Sequence, residues 1–151
     1  MNEDEFFMRE AVAEAERALA CDEIPIGAVV VLGDKIIGRG FNVRLLENSP
    51  LGHAEIAAMT DAARAIGSWR FDRCTIYSTL EPCVMCAGAI VQCRMRRIVF
   101  GARDAKAGGC RSLYEIANDP RMYHRCEVTE GIMRSECAEL LRKFFAKKRK
   151  R

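Results

Sequence analysis

The sequence predicts an α/β fold, in which helices cover both faces of a central mixed sheet of five strands. Two observations lead to this prediction. Five short segments are rich in β-branched and apolar residues and end at turn signals, and longer segments between them carry apolar residues at helical spacing. Strands that alternate with helices favour a three-layer α/β/α arrangement. The length of 151 residues suits one domain, and we expect residues 1–151 to form it.

The first elements are a helix and a hairpin. Apolar residues recur at helical spacing over residues 4–21, and Pro25 lies beyond the end of that helix. Apolar segments at 28–32 and 35–40 are separated by Gly33-Asp34, which is a turn signal. These segments therefore predict a β-hairpin.

The middle of the chain predicts two helices with a strand between them. Helical spacing returns at His53 and is closed by Gly67, so we expect His53 to lie in the first helical turn. Residues 75–79 read as a strand. Pro82 suits the first position of a helix, because its missing N–H costs nothing there, and the helix continues over residues 83–93.

The last third adds two strands and a final helix. Residues 98–100 predict a strand, residues 113–117 a short helical piece, and residues 127–129 an edge strand. The final helix follows Gly131. Its neighbouring residues Phe144 and Phe145 point about 100° apart, so both cannot face one core.

Charge is concentrated at the C-terminus. The formal net charge is +3, yet residues 147–151 alone carry five positive side chains, so the rest of the chain is net negative. Such a tail suits an arm that binds phosphates, and it equally suits a solubilising helix end. Both interpretations stay open.

The N-terminal segment and the cysteines indicate a cytoplasmic protein. Acidic residues open the chain where a secretory signal would be positive, and no apolar run of about 18 residues exists, so we expect no membrane association. Among eight cysteines, only Cys83 and Cys86 have metal-ligand spacing. We expect the others to be small buried residues, namely Cys21, Cys74, Cys93, Cys110, Cys126 and Cys137.

Two short motifs carry the chemistry: His53-Ala54-Glu55 and Pro82-Cys83-Val84-Met85-Cys86. A structural zinc site has four protein ligands, whereas a catalytic site has three and leaves one position to water. His53, Cys83 and Cys86 give three, so Glu55 is left as the general acid/base. Two alternatives remain: a redox dithiol, and a structural zinc site whose fourth ligand is His124 or another cysteine.

The complete pattern, H-x-E followed by P-C-x-x-C, is the signature of zinc-dependent nucleobase deaminases. Zinc lowers the pKa of a bound water and so provides a nucleophile near neutral pH. The glutamate can protonate a ring nitrogen and then the amine that leaves as ammonia. The motifs therefore predict hydrolytic deamination.

The chain resembles the bacterial tRNA-specific adenosine deaminases over nearly its whole length. Beyond the two motifs, the resemblance rests on residues 25–29, 40–42, 79–89 and 100–106. It implies the cytidine deaminase-like fold, one zinc ion per subunit, a homodimer, and conversion of the wobble adenosine (position 34) of a tRNA anticodon stem-loop to inosine. The resemblance also implies substrate-binding roles for Ile26, Asn42, Ala54, Leu80, Asp104, Lys106 and Phe145.

Two other functions stay open. The metal motif suits a deaminase of a free base or nucleotide, such as guanine or a cytidine derivative, equally well. A non-catalytic RNA-binding module that contains zinc would also have these residues.

Overall fold

The structure, a computed structural model, describes residues 1–149, so Lys150 and Arg151 of the predicted basic tail lie outside the described residues. The elements, in chain order, are α1 (Glu3–Ala20), β1 (Gly27–Leu32), β2 (Lys35–Phe41), α2 (Ala54–Ile66), β3 (Cys74–Leu80), α3 (Val84–Gln92), β4 (Arg97–Ala102), a 3₁₀ helix (Ile116–Asn118), β5 (Glu127–Glu130) and α4 (Arg134–Arg149). The strands form one sheet in the order β2-β1-β3-β4-β5. The predicted five-stranded sheet is confirmed.

The sheet is mixed, and the strand directions bring several loops to one edge. β1 is antiparallel to both β2 and β3, whereas β3, β4 and β5 are parallel to one another. β2, β3 and β4 therefore run in the same direction, and their carboxyl ends share one edge of the sheet. The segments that follow these three strands all begin there, which is the usual location of ligand sites in open α/β sheets.

The strands are buried on both faces by helices. Side chains alternate along each strand, so Val29 and Tyr77 face one cluster, while Val30 and Ile76 face another. The first cluster includes Phe7 of α1 with other residues of α1 and α4, and the second contains residues of α2 and α3. The sheet thus lies between two helical layers, which confirms the predicted α/β/α arrangement.

α2 packs unusually close to β2 because small residues meet there. A Cβ atom at Gly38 would overlap the carbonyl oxygen of Ala58, and one at Gly40 would lie 2.5 Å from the nitrogen of Ala58. Glycine is therefore required at both positions. This approach holds α2, and with it the residues at the start of α2, directly against the sheet.

Two predicted helix starts are wrong by one or two residues. His53 is the N-cap of α2, with an extended backbone (φ −85°, ψ 151°), and the helix begins at Ala54. The sequence predicts Pro82 at the first position of α3. Cys83 is instead the N-cap and the helix begins at Val84, so Pro82 lies two residues before the helix. Apolar spacing locates a helix but does not reveal which residue is its cap.

The helical piece predicted at residues 113–117 is also shifted, because the 3₁₀ helix spans Ile116–Asn118. The N–H groups of Leu113 and Tyr114 instead both donate to the carbonyl of Gly108. A turn that closes on a glycine therefore occupies the start of the predicted helix.

All eight cysteines are free thiols, and most of the burial predictions are confirmed. Cys74, Cys110, Cys126 and Cys137 are buried, and Cys93 is partly exposed. Cys21 is exposed, so the prediction of a buried Cys21 is wrong. It is the C-cap of α1 and lies one residue beyond the last helical residue, outside the buried positions of that helix.

None of the helices within residues 1–149 combines the length and apolarity needed to cross a membrane.

Asp4, in the first turn of α1, joins that helix to the sheet. Its carboxylate accepts two hydrogen bonds from Arg97 (2.9 and 2.8 Å) and one from the hydroxyl of Tyr77 (2.8 Å). The hydrogen bonds from Arg97 hold the pKa of Asp4 below its usual value, against the opposing effect of burial. This carboxylate therefore stabilises the folded state only while it is ionised.

We expect Asp4→Asn to lower the free energy of unfolding by about 1–3 kcal/mol at pH 7, because Arg97 and Tyr77 lose a charged acceptor. The folded pKa is depressed, so the contribution is complete above the unfolded pKa of about 4 and is lost as the pH falls through the folded value. Urea unfolding of both proteins from pH 7 to pH 2.5 measures the difference. Glu3→Gln is the control for a charge in the same helical turn. A difference that does not shrink below about pH 4 contradicts the account.

Candidate metal centre and active site

Three side chains converge where α2 and α3 begin. The Nδ1 atom of His53 lies 3.5 Å from the Sγ of Cys83 and 3.4 Å from the Sγ of Cys86. His53 caps α2, Cys83 caps α3, and Cys86 lies in the first turn of α3. The topology produces this meeting, because β2 and β3 deliver both helices to the same edge of the sheet.

The spacing of the three ligand atoms fits a tetrahedral metal ion. All lie within 4.8 Å of one another. Tetrahedral zinc with Zn–S of about 2.3 Å and Zn–N of about 2.0 Å places neighbouring sulfur and nitrogen ligands about 3.5 Å apart. The observed nitrogen–sulfur distances match that value, and a donor set of two thiolates and one imidazole suits zinc better than magnesium or calcium.

In residues 1–149 the metal-binding group contains these three side chains and no fourth. His124, the fourth ligand considered from the sequence, instead places its Nε2 atom 2.7 Å from the carbonyl oxygen of Met95. Three protein ligands are typical of catalytic zinc sites, in which a small molecule takes the remaining position.

The surroundings favour the thiolate form of Cys83, whereas hydrogen bonding with Cys83 raises the pKa of Cys86. Hydrogen bonding with Cys86 lowers the pKa of Cys83 to about 3, and His53 acts in the same direction. The N-terminus of α3 adds the positive end of a helix dipole and free backbone N–H groups. Hydrogen bonding with Cys83 raises the pKa of His53, although burial opposes this. Cys83 therefore carries negative charge beside the imidazole.

Glu55 is the buried acid of the site. It is 4% exposed and lies in the first turn of α2, two residues after His53. Burial raises the pKa of Glu55 to about 7. A carboxyl group of this kind can both accept and release a proton near neutral pH, which is the requirement for a general acid/base.

A cavity of about 540 Å³ opens over these residues. That volume is in the range of small-molecule sites, about 300–1,000 Å³. The lining includes ten of the residues predicted for the site, namely Ile26, Asn42, His53, Ala54, Glu55, Leu80, Cys83, Asp104, Lys106 and Phe145. Cys86 is fully buried and does not line the cavity.

The loop at residues 42–53, which follows β2, provides one wall. Asn42 is buried, and its Oδ1 atom accepts a hydrogen bond from the N–H of Arg44 (3.0 Å). Asn42 thus stabilises a turn, and it also lines the cavity. Ile26 and Leu80 give the cavity apolar surface.

The loop at residues 103–112, which follows β4, provides a second part of the wall. The Oδ1 atom of Asp104 accepts from the N–H groups of Lys106 (3.1 Å) and Ala107 (3.2 Å). These contacts give the loop a defined turn, with Asp104 and Lys106 in the cavity lining. From α4, Phe145 also lines the cavity and is 43% exposed, whereas Phe144 is buried, so the two rings do face different surroundings.

Other cavity residues are absent from the sequence prediction. Ile24, Arg44, Arg103 and Leu141 line the cavity as well. Leu141 reads as a core position on its helix, and arginines in loops give no local signal. Glu81 also lines the cavity, and its place between an apolar strand and Pro82 is the one signal that could have identified it.

Glu81 is ionised in spite of its burial. Burial acts to raise its pKa, but hydrogen bonds from the hydroxyl and N–H of Ser112 and from other backbone N–H groups outweigh burial, and the pKa of Glu81 falls below its usual value.

The chain is similar in sequence to known deaminases. A family model for MafB19-like deaminases matches residues 1–149. A tRNA-specific adenosine deaminase of Bacillus subtilis (strain 168) is 42% identical over all 151 residues of this chain and 94% of its own length.

Two solved structures show related folds. A structure from studies of A-to-I editing by tRNA:A34 deaminases at the wobble position of transfer RNA gives a TM-score of 0.86 at 42% identity, covering 90% of this chain and 99% of the other. A guanine deaminase from Bacillus subtilis gives 0.64 at 36% identity, covering 68% of this chain and 66% of the other.

Proposed function

The chain belongs to the family of tRNA-specific adenosine deaminases, and we propose that it deaminates the wobble adenosine (position 34) of tRNA anticodons to inosine by zinc-dependent hydrolysis. One observation carries the proposal: His53, Cys83 and Cys86 form a three-ligand group, and two of them, His53 and Cys83, line a cavity of about 540 Å³ together with the buried Glu55. Hydrolytic deamination requires a nucleophilic water and a proton carrier beside one base, and this arrangement can provide both.

One zinc ion per subunit would be held by His53 Nδ1, Cys83 Sγ and Cys86 Sγ. When bound, zinc supplies the Lewis acidity that makes water a nucleophile near neutral pH. The chain contributes the two thiolates and the imidazole, which the starts of α2 and α3 hold in position.

Glu55 moves the protons. Its carboxylate takes a proton from the attacking water and gives it to N1 of the adenine ring, next to the C6 atom that is attacked. It then takes the proton of the hydroxyl group now on C6 and gives it to the exocyclic amine, so that the C6–N6 bond breaks, ammonia leaves and the C6 carbonyl of inosine forms. A carboxyl in a dry environment suits this role, because both of its protonation states are accessible.

The remaining cavity residues bind the nucleotide. Ile26 and Leu80 provide apolar surface for the faces of an extruded base, and the amide of Asn42 suits the donor and acceptor groups of a purine edge. Ala54 is small and leaves room near the metal ligands. Asp104 and Lys106 lie in a loop suited to sugar and phosphate, and Phe145 is an exposed ring on which a neighbouring base can stack.

The cationic side chains of the cavity lining favour RNA over a free base as the substrate. Arg44 and Lys106 line the cavity, and cationic side chains there suit phosphates on either side of the reacting base, whereas Arg103 in the same lining is paired with Glu130 (2.7 Å). A homodimer in the cytoplasm, as the sequence resemblance implies, completes the proposal. The guanine deaminase fold keeps deamination of a free purine as the second candidate.

Glu55→Gln is expected to lower the deamination rate on an anticodon stem-loop with A34 by at least about 10²–10⁴-fold while bound zinc is retained, because only the proton carrier is removed. Inosine formation measured by nucleoside mass spectrometry, with metal content measured in parallel, tests this. Ammonia release from guanine, cytidine and adenosine is measured beside it. If the wild-type protein acts only on free bases or nucleosides, RNA is not its substrate. If it binds zinc but acts on no substrate, the non-catalytic module is supported.

Cys86→Ala is expected to lower bound zinc well below one equivalent per chain, because two ligands hold zinc poorly. Cys126→Ala is the matched control, since Cys126 is equally buried but belongs to the core. Elemental analysis of both proteins after dialysis against a weak chelator gives the result. Equal zinc in the two variants would show that the metal is bound elsewhere.

The basic tail is expected to contact RNA phosphates. Lys148 bonds with Asp22 (2.9 Å), so it is left in place. Substitution of Lys147 and Arg149 by glutamine, with deletion of Lys150 and Arg151, should weaken tRNA binding and reduce the slope of log affinity against log salt concentration by about 0.7–0.9 for each phosphate that the tail no longer neutralises. Fluorescence anisotropy from 50 to 300 mM KCl measures the slope. An unchanged slope would assign the tail to solubility.

A further inference from the structure

Two buried carboxylates lie beside the cavity, and the mechanism uses neither of them. Glu23 and Glu81 are each 1% exposed. The hydrogen bonds found for their carboxylates come mainly from backbone N–H groups in loops, and not from an arginine or lysine side chain. A charge buried without an ion pair is costly, so such an arrangement has to be stabilised by several hydrogen bonds.

Glu81 holds the 103–112 loop. Its Oε1 atom accepts from the N–H of Asp104 (3.0 Å) and from the hydroxyl of Ser112 (2.5 Å). Its Oε2 atom accepts from the N–H groups of Cys110 (3.1 Å), Arg111 (2.7 Å) and Ser112 (2.9 Å). Donors at both oxygens require the ionised carboxylate.

The backbone around Glu81 is shaped to this side chain. A Cβ atom at Gly108 would overlap the Glu81 carboxylate, so only glycine lets the loop close around it. The N–H of Gly109 also donates to the carbonyl of Pro82 (2.8 Å), directly before Cys83. The loop is therefore bonded both to Glu81 and to the segment that carries the metal ligands.

Glu23 holds the 42–53 loop in the same way. It accepts from the N–H of Leu45 (3.3 and 3.0 Å) and from the N–H of Leu46 (2.9 Å). Arg44 lines the cavity, and its own N–H donates to Asn42, while the next two residues donate to Glu23. These hydrogen bonds together hold the backbone of Arg44 in place.

We propose that Glu23 and Glu81 are positioning residues for the RNA substrate: each buried carboxylate fixes one of two loops that contribute to the wall of the cavity. The 42–53 loop carries Asn42 and Arg44, and the 103–112 loop carries Asp104 and Lys106. Both glutamates act through these loops and do not contact the reacting atoms. The inference rests on the proposed RNA deaminase function, because it concerns how the same cavity binds its nucleotide.

A purely stabilising role makes a different prediction. Glu14 is also buried, at 3% exposure, but it pairs with the side chains of Arg17 and Arg39 away from the cavity. Loss of any of the three carboxylates should lower stability. Only loss of Glu23 or Glu81 should free a cavity loop, so only these changes should weaken substrate binding.

The experiment compares Glu23→Gln, Glu81→Gln and the control Glu14→Gln in the full chain loaded with zinc. Glutamine keeps the shape of the glutamate side chain but replaces one acceptor oxygen with an NH2 group. That donor then faces the N–H donors of the loop. We expect KM for the A34 stem-loop to rise about tenfold in the first two variants, with kcat within about threefold of wild type, and no KM change in the control. Zinc content is measured for every protein.

Hydrogen exchange on the same proteins locates the effect. Faster exchange should be confined to residues 43–47 in Glu23→Gln and to residues 104–112 in Glu81→Gln. Equal KM in all three variants, or faster exchange spread evenly over the protein, would overturn the proposal. If Glu81→Gln loses both zinc and kcat, the proposal is overturned for Glu81. The role of Glu81 would then be to hold the metal ligands in place.

Milder changes serve if glutamine prevents folding. Ser112→Ala removes one donor to Glu81, and Glu23→Asp shortens the reach to Leu45 and Leu46. Both should raise KM in the same direction by a smaller factor, and unchanged KM in both would overturn the proposal. If the wild-type protein has no activity on the stem-loop, the proposed function is rejected. The hydrogen-exchange pattern would still show whether the two glutamates hold their loops.

Discussion

Everything at this site depends on the common direction of β2, β3 and β4, whose carboxyl ends meet at one edge of the sheet. That direction brings together the 42–53 loop with the start of α2, the start of α3, and the 103–112 loop. The close contact of α2 with Gly38 and Gly40 then sets the depth of His53 and Glu55. Reversal of any one of the three strands would move one wall, or one half of the metal group, to the opposite edge.

The second constraint is the burial of charge. The edge that forms the cavity also buries Glu23, Glu55 and Glu81, each 4% exposed or less. Glu23 and Glu81 receive hydrogen bonds from loop backbone, and in Glu81 such bonds hold the pKa below its usual value against the effect of burial. Burial instead raises the pKa of Glu55. Carboxyl groups of the same type thus differ in role because their hydrogen-bond donors differ, and only Glu55 is left to move protons.

The sequence allows the sheet, the helices and the metal group to be predicted because their signals are local. Ligand chemistry and spacing identify His53, Cys83 and Cys86, and periodicity identifies the helices. The helix caps are not predictable in this way, since His53 and Cys83 differ from their helical neighbours only in backbone conformation. Glu23 and Glu81 are harder still. Their partners lie more than twenty residues away and are mainly backbone N–H groups, which every residue type except proline provides.

The central claim is that this cavity hydrolyses the amine of one adenosine in RNA, and the origin of the product oxygen tests it most directly. The protein is incubated with an anticodon stem-loop bearing A34 in water enriched in oxygen-18, and the ribonuclease fragments of the RNA are sequenced by mass spectrometry. The account predicts inosine at position 34 that carries the heavy oxygen, and unchanged adenosine at other positions. Inosine without the label, or a labelled product from free guanine with none at position 34, would contradict it.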